Sequence, residues 1–354
     1  MPALPDFPWD RLLPFAAQAR AHPDGIVDLS VGAPVDPTPR CAQDALCAAA
    51  DSPGYPVAVG TAALQGATRE WLARTCGADP GIEVVPTIGS KEAVGLLAAL
   101  LRLGPDDVVV IPELAYPTYA VGAAMVGAQV SVGWHPDATL VWVNSPSNPT
   151  GAVQGRDELA ALVARCRDAG ALVVSDECYL EFGFDGPAPV SVLHPEVCGG
   201  RYDGVVALHS LSKRSNLAGY RSGSVAGDPD VVRALRELRR HTGLLVSGPV
   251  QAAAVAALRD DAHVRQQRER YAARRRALRP ALETAGFRIE HSNAGLYFWV
   301  TRDEPCMDSV RWLAERGILV APGDFYGPAG ARYVRVALTA TDERVAAAAR
   351  RLAA

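Results

Sequence analysis

Val205-Val206-Ala207-Leu208-His209-Ser210-Leu211-Ser212-Lys213-Arg214-Ser215-Asn216-Leu217-Ala218-Gly219-Tyr220-Arg221-Ser222-Gly223 is the stretch on which the fold turns. Its first four residues form an unbroken apolar run, the pattern of a strand buried on both faces. A polar segment follows, with Lys213 among small hydroxyl residues and Arg221 between Gly219 and Gly223. A lysine at the end of a buried strand is costly to place, because its ammonium must give up water. Burial favours the neutral amine, and a neutral amine attacks carbonyls. Arg221 offers a planar fork for a phosphate, Ser210 offers a hydroxyl, and the glycines let backbone come close. Read as a surface loop, the same stretch merely carries ordinary cations, and on this segment alone both readings stand.

Outward from it, apolar runs alternate with helical patterns. Strands are expected at 107–111, 130–134, 140–144, 172–176, 205–208 and 224–226. Helices are expected at 64–75 (closed by Gly77), from an opening segment at Thr87–Glu92 to about Leu103, at 119–126 and at 156–169. This order predicts a mostly parallel sheet covered on both faces, with ligands outside the strand C-termini. Asn144, Asp176 and Lys213 fall there.

Past Asp228 the texture changes to helices at 229–241, 249–259 and 262–285, then strands at 287–290, 295–300, 318–320 and 333–337 with helices at 308–316 and 342–352. This α+β block is expected to form a smaller domain, joined by an N-terminal helix at 7–21 and a short strand at 26–31. The expected boundaries are 46–255 for the large domain, and 1–45 with 256–354 for the small one. Arg265, Arg268, Arg270, Arg274, Arg275 and Arg276 read as the solvated face of a helix bridging the two.

The 354 residues are 49% hydrophobic and 21% charged, with a formal net charge of −4. That composition is globular, and without a long basic run it argues against nucleic acid as a partner. Seven cysteines with no C-x-x-C pair argue against a disulfide framework or a metal site and for a reducing, cytoplasmic setting. The first ten residues do not read as a signal peptide, and no apolar run is long enough to span a membrane.

Three further segments carry chemistry. Val173-Val174-Ser175-Asp176-Glu177-Cys178-Tyr179 ends a strand on two carboxylates; an aspartate there would keep a pyridine nitrogen protonated, or simply cap a helix. Asn144-Ser145-Pro146-Ser147-Asn148-Pro149-Thr150-Gly151 is a polar turn that aims Asn148 at a ligand, or only a Pro-rich turn. Gly89-Ser90-Lys91 opens a helix, where free N–H groups receive an anion or a mere cap. A nucleophilic lysine beside a phosphate site points to pyridoxal phosphate.

In this order the pieces resemble the class I/II aminotransferases of pyridoxal-phosphate fold type I, over nearly the whole chain. The resemblance implies an α/β fold: a large domain with a mostly parallel seven-stranded sheet flanked by helices, plus a smaller α+β domain. It implies that Lys213 is the Schiff-base lysine and proton shuttle, and Asp176 the partner of the pyridine nitrogen. Tyr179 and Asn148 would donate to the ring oxygen, and Tyr116 would stack on the ring. Gly89, Ser90, Lys91, Ser210 and Arg221 would hold the phosphate. Tyr55 would be lent by a second subunit, which implies a homodimer with shared active sites. Gly32, Asn148 and Arg335 would bind the substrate, Arg335 gripping its α-carboxylate in bidentate fashion. An isolated arginine in Val334-Arg335-Val336-Ala337-Leu338 more often faces solvent.

Within the family, Phe7-Pro8-Trp9-Asp10, His22–Gly32, Pro112–Tyr119, Ser191–Pro195 and Ala321–Pro328 most resemble the N-succinyl-diaminopimelate aminotransferases of lysine biosynthesis. That resemblance implies glutamate as donor and 2-oxoglutarate as the returned keto acid. An aminotransferase for aspartate, alanine or aromatic substrates, and a C–S β-lyase on the same fold, remain alternatives. A non-catalytic regulator on this fold would carry an added DNA-binding domain, for which the chain shows no spare segment.

Overall fold

The computed structural model describes residues 8–353; Phe7 lies outside the described residues. The strands, in chain order, are β1 (Val27–Leu29), β2 (Glu83–Thr87), β3 (Val108–Ile111), β4 (Gln129–Val132), β5 (Ala138–Asn144), β6 (Leu172–Asp176), β7 (Val205–Ser210), β8 (Gly223–Gly227), β9 (Arg288–Glu290), β10 (Tyr297–Thr301), β11 (Ile318–Pro322) and β12 (Val334–Ala337). Seven form one sheet in the order β2-β8-β7-β6-β5-β3-β4, and five form another in the order β1-β11-β12-β10-β9. In the larger sheet only β8 runs against its fellows.

The alternation of side chains along a strand explains the layers. Val173, Val205 and Ala207 join an apolar cluster on one face of the large sheet, while Val174, Val206 and Leu208 join a second cluster on the other. β3, β6 and β7 are therefore almost wholly buried, whereas β4, at the sheet edge, is mostly exposed. A third cluster, holding Leu29, Trp299, Val320 and Val336, fills the smaller sheet's side.

β2 is a strand the sequence pattern hid, because Pro86 sits inside it. Proline cannot donate to a ladder and is tolerated at a sheet edge, and β2 is the edge strand. A helix at Arg40–Ala48 was likewise not anticipated. The N-terminal helix is a 3₁₀ turn over Pro8–Leu12 followed by an α-helix over Leu13–Arg20.

The arginine-rich helix, Ala262–Thr284, departs from the expected solvated face. Arg274 and Arg275 are buried. Arg274 pairs with Asp36 and Asp342 at 2.6 Å each, and Arg275 pairs with Asp185 at 2.8 Å. Buried guanidinium groups need such partners, so these charges clamp segments distant in sequence.

Candidate active site

β5, β6 and β7 end side by side, with Asn144 opposite Asp176 and Asp176 opposite Leu208. Trp142, Val174 and Leu208 share one face of the sheet, so Asn144, Asp176 and Ser210, each two residues on, share that side. Glu177 is turned the other way. It accepts from Val192 N–H at 2.8 Å and lies 2.8 Å from His209 Nε2, so one of the two adjacent carboxylates faces the site.

Asp176 is buried. It accepts from Tyr119 Oη at 2.9 Å and from Cys178 N–H at 3.2 Å. Burial pushes its carboxyl pKa up, and the Cys178 and Tyr119 hydrogen bonds oppose that rise. Tyr119 is a residue that sequence reasoning missed; it stacks on Trp142 at 4.5 Å and meets Tyr116 edge-on at 5.7 Å. Its signal was its spacing, one helical turn after Tyr116. Tyr119→Phe is expected to cost about tenfold in kcat/KM, the scale of one hydrogen bond to a charged group, with the pH profile of kcat/KM moving as well. An unmoved profile would mean that Tyr119 only packs.

Asn144 anchors the turn after β5: its side chain donates to Asp176 O and accepts from Asn148 N–H. Asn148 Oδ1 accepts from Arg335 Nη1 at 2.8 Å. An arginine only donates, so the oxygen must face it and the Asn148 amide N–H group points elsewhere. Arg335 is 3% exposed, not solvent-facing as an isolated strand arginine would be. Its Nη2 donates to Ser30 O at 2.6 Å, and its guanidinium lies over the Tyr297 ring at 4.0 Å. Tyr179 Oη and Tyr297 Oη are 2.8 Å apart. A Cβ at Gly32 would fall 1.9 Å from Tyr297 Oη, so only glycine fits there.

Lys213 stands in a short helix, Leu211–Arg214, directly after β7; it is half-buried, and its Nζ donates to Gly32 O. Ser210 caps this helix by accepting from Ser212 N–H at 3.1 Å, which leaves its own hydroxyl hydrogen to donate. Ser210 pairs with Gly223, whose added Cβ would lie 3.1 Å from Ser90 N. Gly219, by contrast, borders open space and is not needed for a close approach. The helix Gly89–Leu100 begins without a side-chain cap. Gly89 has φ +71°, and a Cβ there would meet Arg221 Nη2 at 2.4 Å. Gly89, Ser90, Ser210 and Arg221 thus come together around one helix N-terminus.

Lys91 is exposed, with no hydrogen bond or ion pair among the described residues. Its neighbour Glu92 is committed elsewhere: it holds Arg239 through two 2.9 Å bonds and accepts from Ile88 N–H. Tyr55 is 98% exposed. Tyr116 is half-buried against Tyr119, and burial raises its phenol pKa.

Residues 24–352 match the family model for aminotransferase class I and II. The chain belongs to that family. This aminotransferase is 59% identical to a probable aminotransferase of Mycobacterium tuberculosis, covering 99% of this chain and 85% of the relative. It is 55% identical to the 4-dedimethylamino-4-oxo-anhydrotetracycline transaminase OxyQ of Streptomyces rimosus, covering 99% and 100%. It superposes on a probable N-succinyldiaminopimelate aminotransferase of Thermus thermophilus with a TM-score of 0.88 at 27% identity, covering 98% and 99%.

The class I and II aminotransferases depend on pyridoxal phosphate. The residues present fit that group. Asp176 is a buried carboxylate whose hydrogen-bond partners, the Tyr119 phenol and the Cys178 backbone N–H and thiol, are all neutral, so a protonated ring nitrogen would supply the missing cation. The glycine-floored cradle of Gly89, Ser90, Ser210 and Arg221 offers N–H, hydroxyl and guanidinium donors, which is a phosphate's complement. Among the described residues no helix is long and apolar enough to cross a membrane.

Proposed function

We propose that this aminotransferase exchanges an amino group between N-succinyl-LL-2,6-diaminopimelate and 2-oxoglutarate, with glutamate as donor in the biosynthetic direction. The observation that carries an α-amino acid substrate is Arg335, buried and braced by Asn148 and Ser30 next to Gly32, whose carbonyl holds Lys213. The succinylated substrate is supported by the resemblance of the Pro112–Tyr119 and Ala321–Pro328 segments and by the likeness to the Thermus thermophilus protein.

In this reading Lys213 Nζ takes the proton from the substrate α-carbon and returns it at the other end of the transfer. Bound pyridoxal phosphate supplies the electron sink for that carbon. Asp176 would keep the ring nitrogen protonated. Tyr179 and Asn148 would donate to the ring oxygen, and Tyr116 would lie against the ring. Gly89, Ser90, Lys91, Ser210 and Arg221 would hold the phosphate. Arg335, with Asn148 and Gly32, binds the substrate carboxylate. Both outer nitrogens of Arg335 already donate once, to Asn148 and Ser30, so the carboxylate takes the hydrogens that remain.

A second reading follows from the identity to OxyQ: amination of a ketone on a fused-ring anhydrotetracycline. A panel of amino donors with 2-oxoglutarate, including N-succinyl-diaminopimelate, aspartate, alanine and aromatic amino acids, read by glutamate formed, separates these readings when run beside glutamate with a 4-oxo-anhydrotetracycline and a thioether amino acid alone. The highest kcat/KM is expected with the succinylated donor. A higher value for another donor, amination of a 4-oxo-anhydrotetracycline at a higher kcat/KM, or release of pyruvate and ammonia from a thioether amino acid would overturn it.

The enzyme acts in the cytoplasm, where its seven free thiols stay reduced, and as a homodimer. Tyr55, standing clear of its own chain, reaches the partner's phosphate site. Mixing inactive Lys213→Ala protein with Tyr55→Ala protein, with subunit exchange confirmed, should restore roughly a quarter of parental activity by random pairing. No recovery would place Tyr55 outside the partner's site.

A further inference from the structure

Two buried polar atoms on the substrate side of the site have no hydrogen-bond partner among the described residues: Arg335 Nε and Tyr326 Oη. They belong to neighbours, for the Arg335 guanidinium lies 5.0 Å from the centre of the Tyr326 ring. A buried hydroxyl left unpaired costs as much as a lost hydrogen bond, so such an atom calls for a ligand. Tyr326 is held rigidly: it is 3% exposed, meets Trp299 and Trp9 edge-on at 6.2 and 6.5 Å, and its carbonyl accepts from Ala115 N–H at 2.8 Å. Burial pushes its phenol pKa up, so it stays protonated and donates.

We infer that Tyr326 is a specificity-determining residue whose hydroxyl donates to the substrate's α-carboxylate alongside Arg335. The inference rests on the aminotransferase reading of Arg335 above. The chemistry selects an anion, because Arg335 brings only N–H donors and the Tyr326 phenol is protonated. A carboxylate offers two oxygens, enough for the guanidinium edge and the phenol together. A substrate without that carboxylate leaves both donors dry and is rejected, which is how a polar site discriminates against an apolar analogue.

The test uses the cofactor-loaded enzyme and two competitors of glutamate, 2-methylglutamate and 4-aminobutyrate. The second lacks the α-carboxylate. In Tyr326→Phe, which keeps the ring and its packing, the inhibition constant for 2-methylglutamate should rise about tenfold. That for 4-aminobutyrate should stay unchanged, and the KM for glutamate should rise with little change in kcat. Equal shifts for both competitors, or none for either, would overturn the inference. Arg335→Gln separates its failure from that of the underlying reading. If that variant leaves 2-methylglutamate binding intact, Arg335 is not the carboxylate site. If it weakens binding while Tyr326→Phe does not, Arg335 works without the phenol.

Discussion

Lys213→Ala should lose transamination by roughly 10⁴-fold, the upper range for removing a positioned acid–base group. The amine is unique in its setting. It is half-buried at the end of β7, and its Nζ is drawn to Gly32 O beside Tyr297. The chain has two lysines, Lys91 and Lys213, so peptide mapping after borohydride treatment of the loaded enzyme has two candidate positions. The reduced cofactor should be recovered on the peptide with Lys213. Recovery on Lys91, which stands exposed in the first turn of its helix, would move the chemistry to the other end of the phosphate cradle. Lys213→Ala should also keep its fold, because the bond to Gly32 O is the one hydrogen bond its side chain makes among the described residues.

Asp176→Asn should lower turnover on the order of 10²-fold or more, as for other groups that meet developing charge in a dry site. The substitution is nearly isosteric, and its amide oxygen still accepts from Tyr119, so the loss would be electrostatic. Stability should move the other way. A carboxyl whose folded pKa is raised favours the folded state below its unfolded value of about 3.9. That contribution disappears as pH rises through the raised folded value. The cofactor-free enzyme therefore gives up stability from Asp176 as it leaves the acid range, and desolvation is the cause. Asparagine has nothing to ionise. Cofactor-free Asp176→Asn should melt no lower than the cofactor-free parent at pH 7. A lower melting temperature there, or normal turnover in the loaded variant, would remove Asp176 from its role.

Much of this arrangement was legible in the chain because the large sheet obeys a simple parity. Asn144, Asp176 and Ser210 each follow an apolar run whose even-numbered members share a face, so their placement on one side follows from counting. β2 escaped because Pro86 speaks against a strand, and only the sheet order shows it at an edge. Arg335 was found only through resemblance. Its surroundings, Tyr297 and Tyr326 from other parts of the chain, have no local periodicity that links them to it. Arg274 and Arg275 misled for the same reason. A charge run reads as solvated until Asp36, Asp185 and Asp342 are brought to it from elsewhere in the sequence.

The bond from Arg335 to Ser30 O joins residues 305 positions apart, and β1 pairs with β11 across a similar span. A ribosome adds residues at about 5–20 per second, so some 15–60 seconds separate the appearance of these two partners. Until then Ser30, Gly32 and β1 lack these partners, although all strands of the large sheet, residues 83–227, have been synthesised. The growing chain thus contains every residue of the proposed phosphate cradle, from Gly89 to Arg221, well before it contains Arg335, the proposed grip for the amino acid.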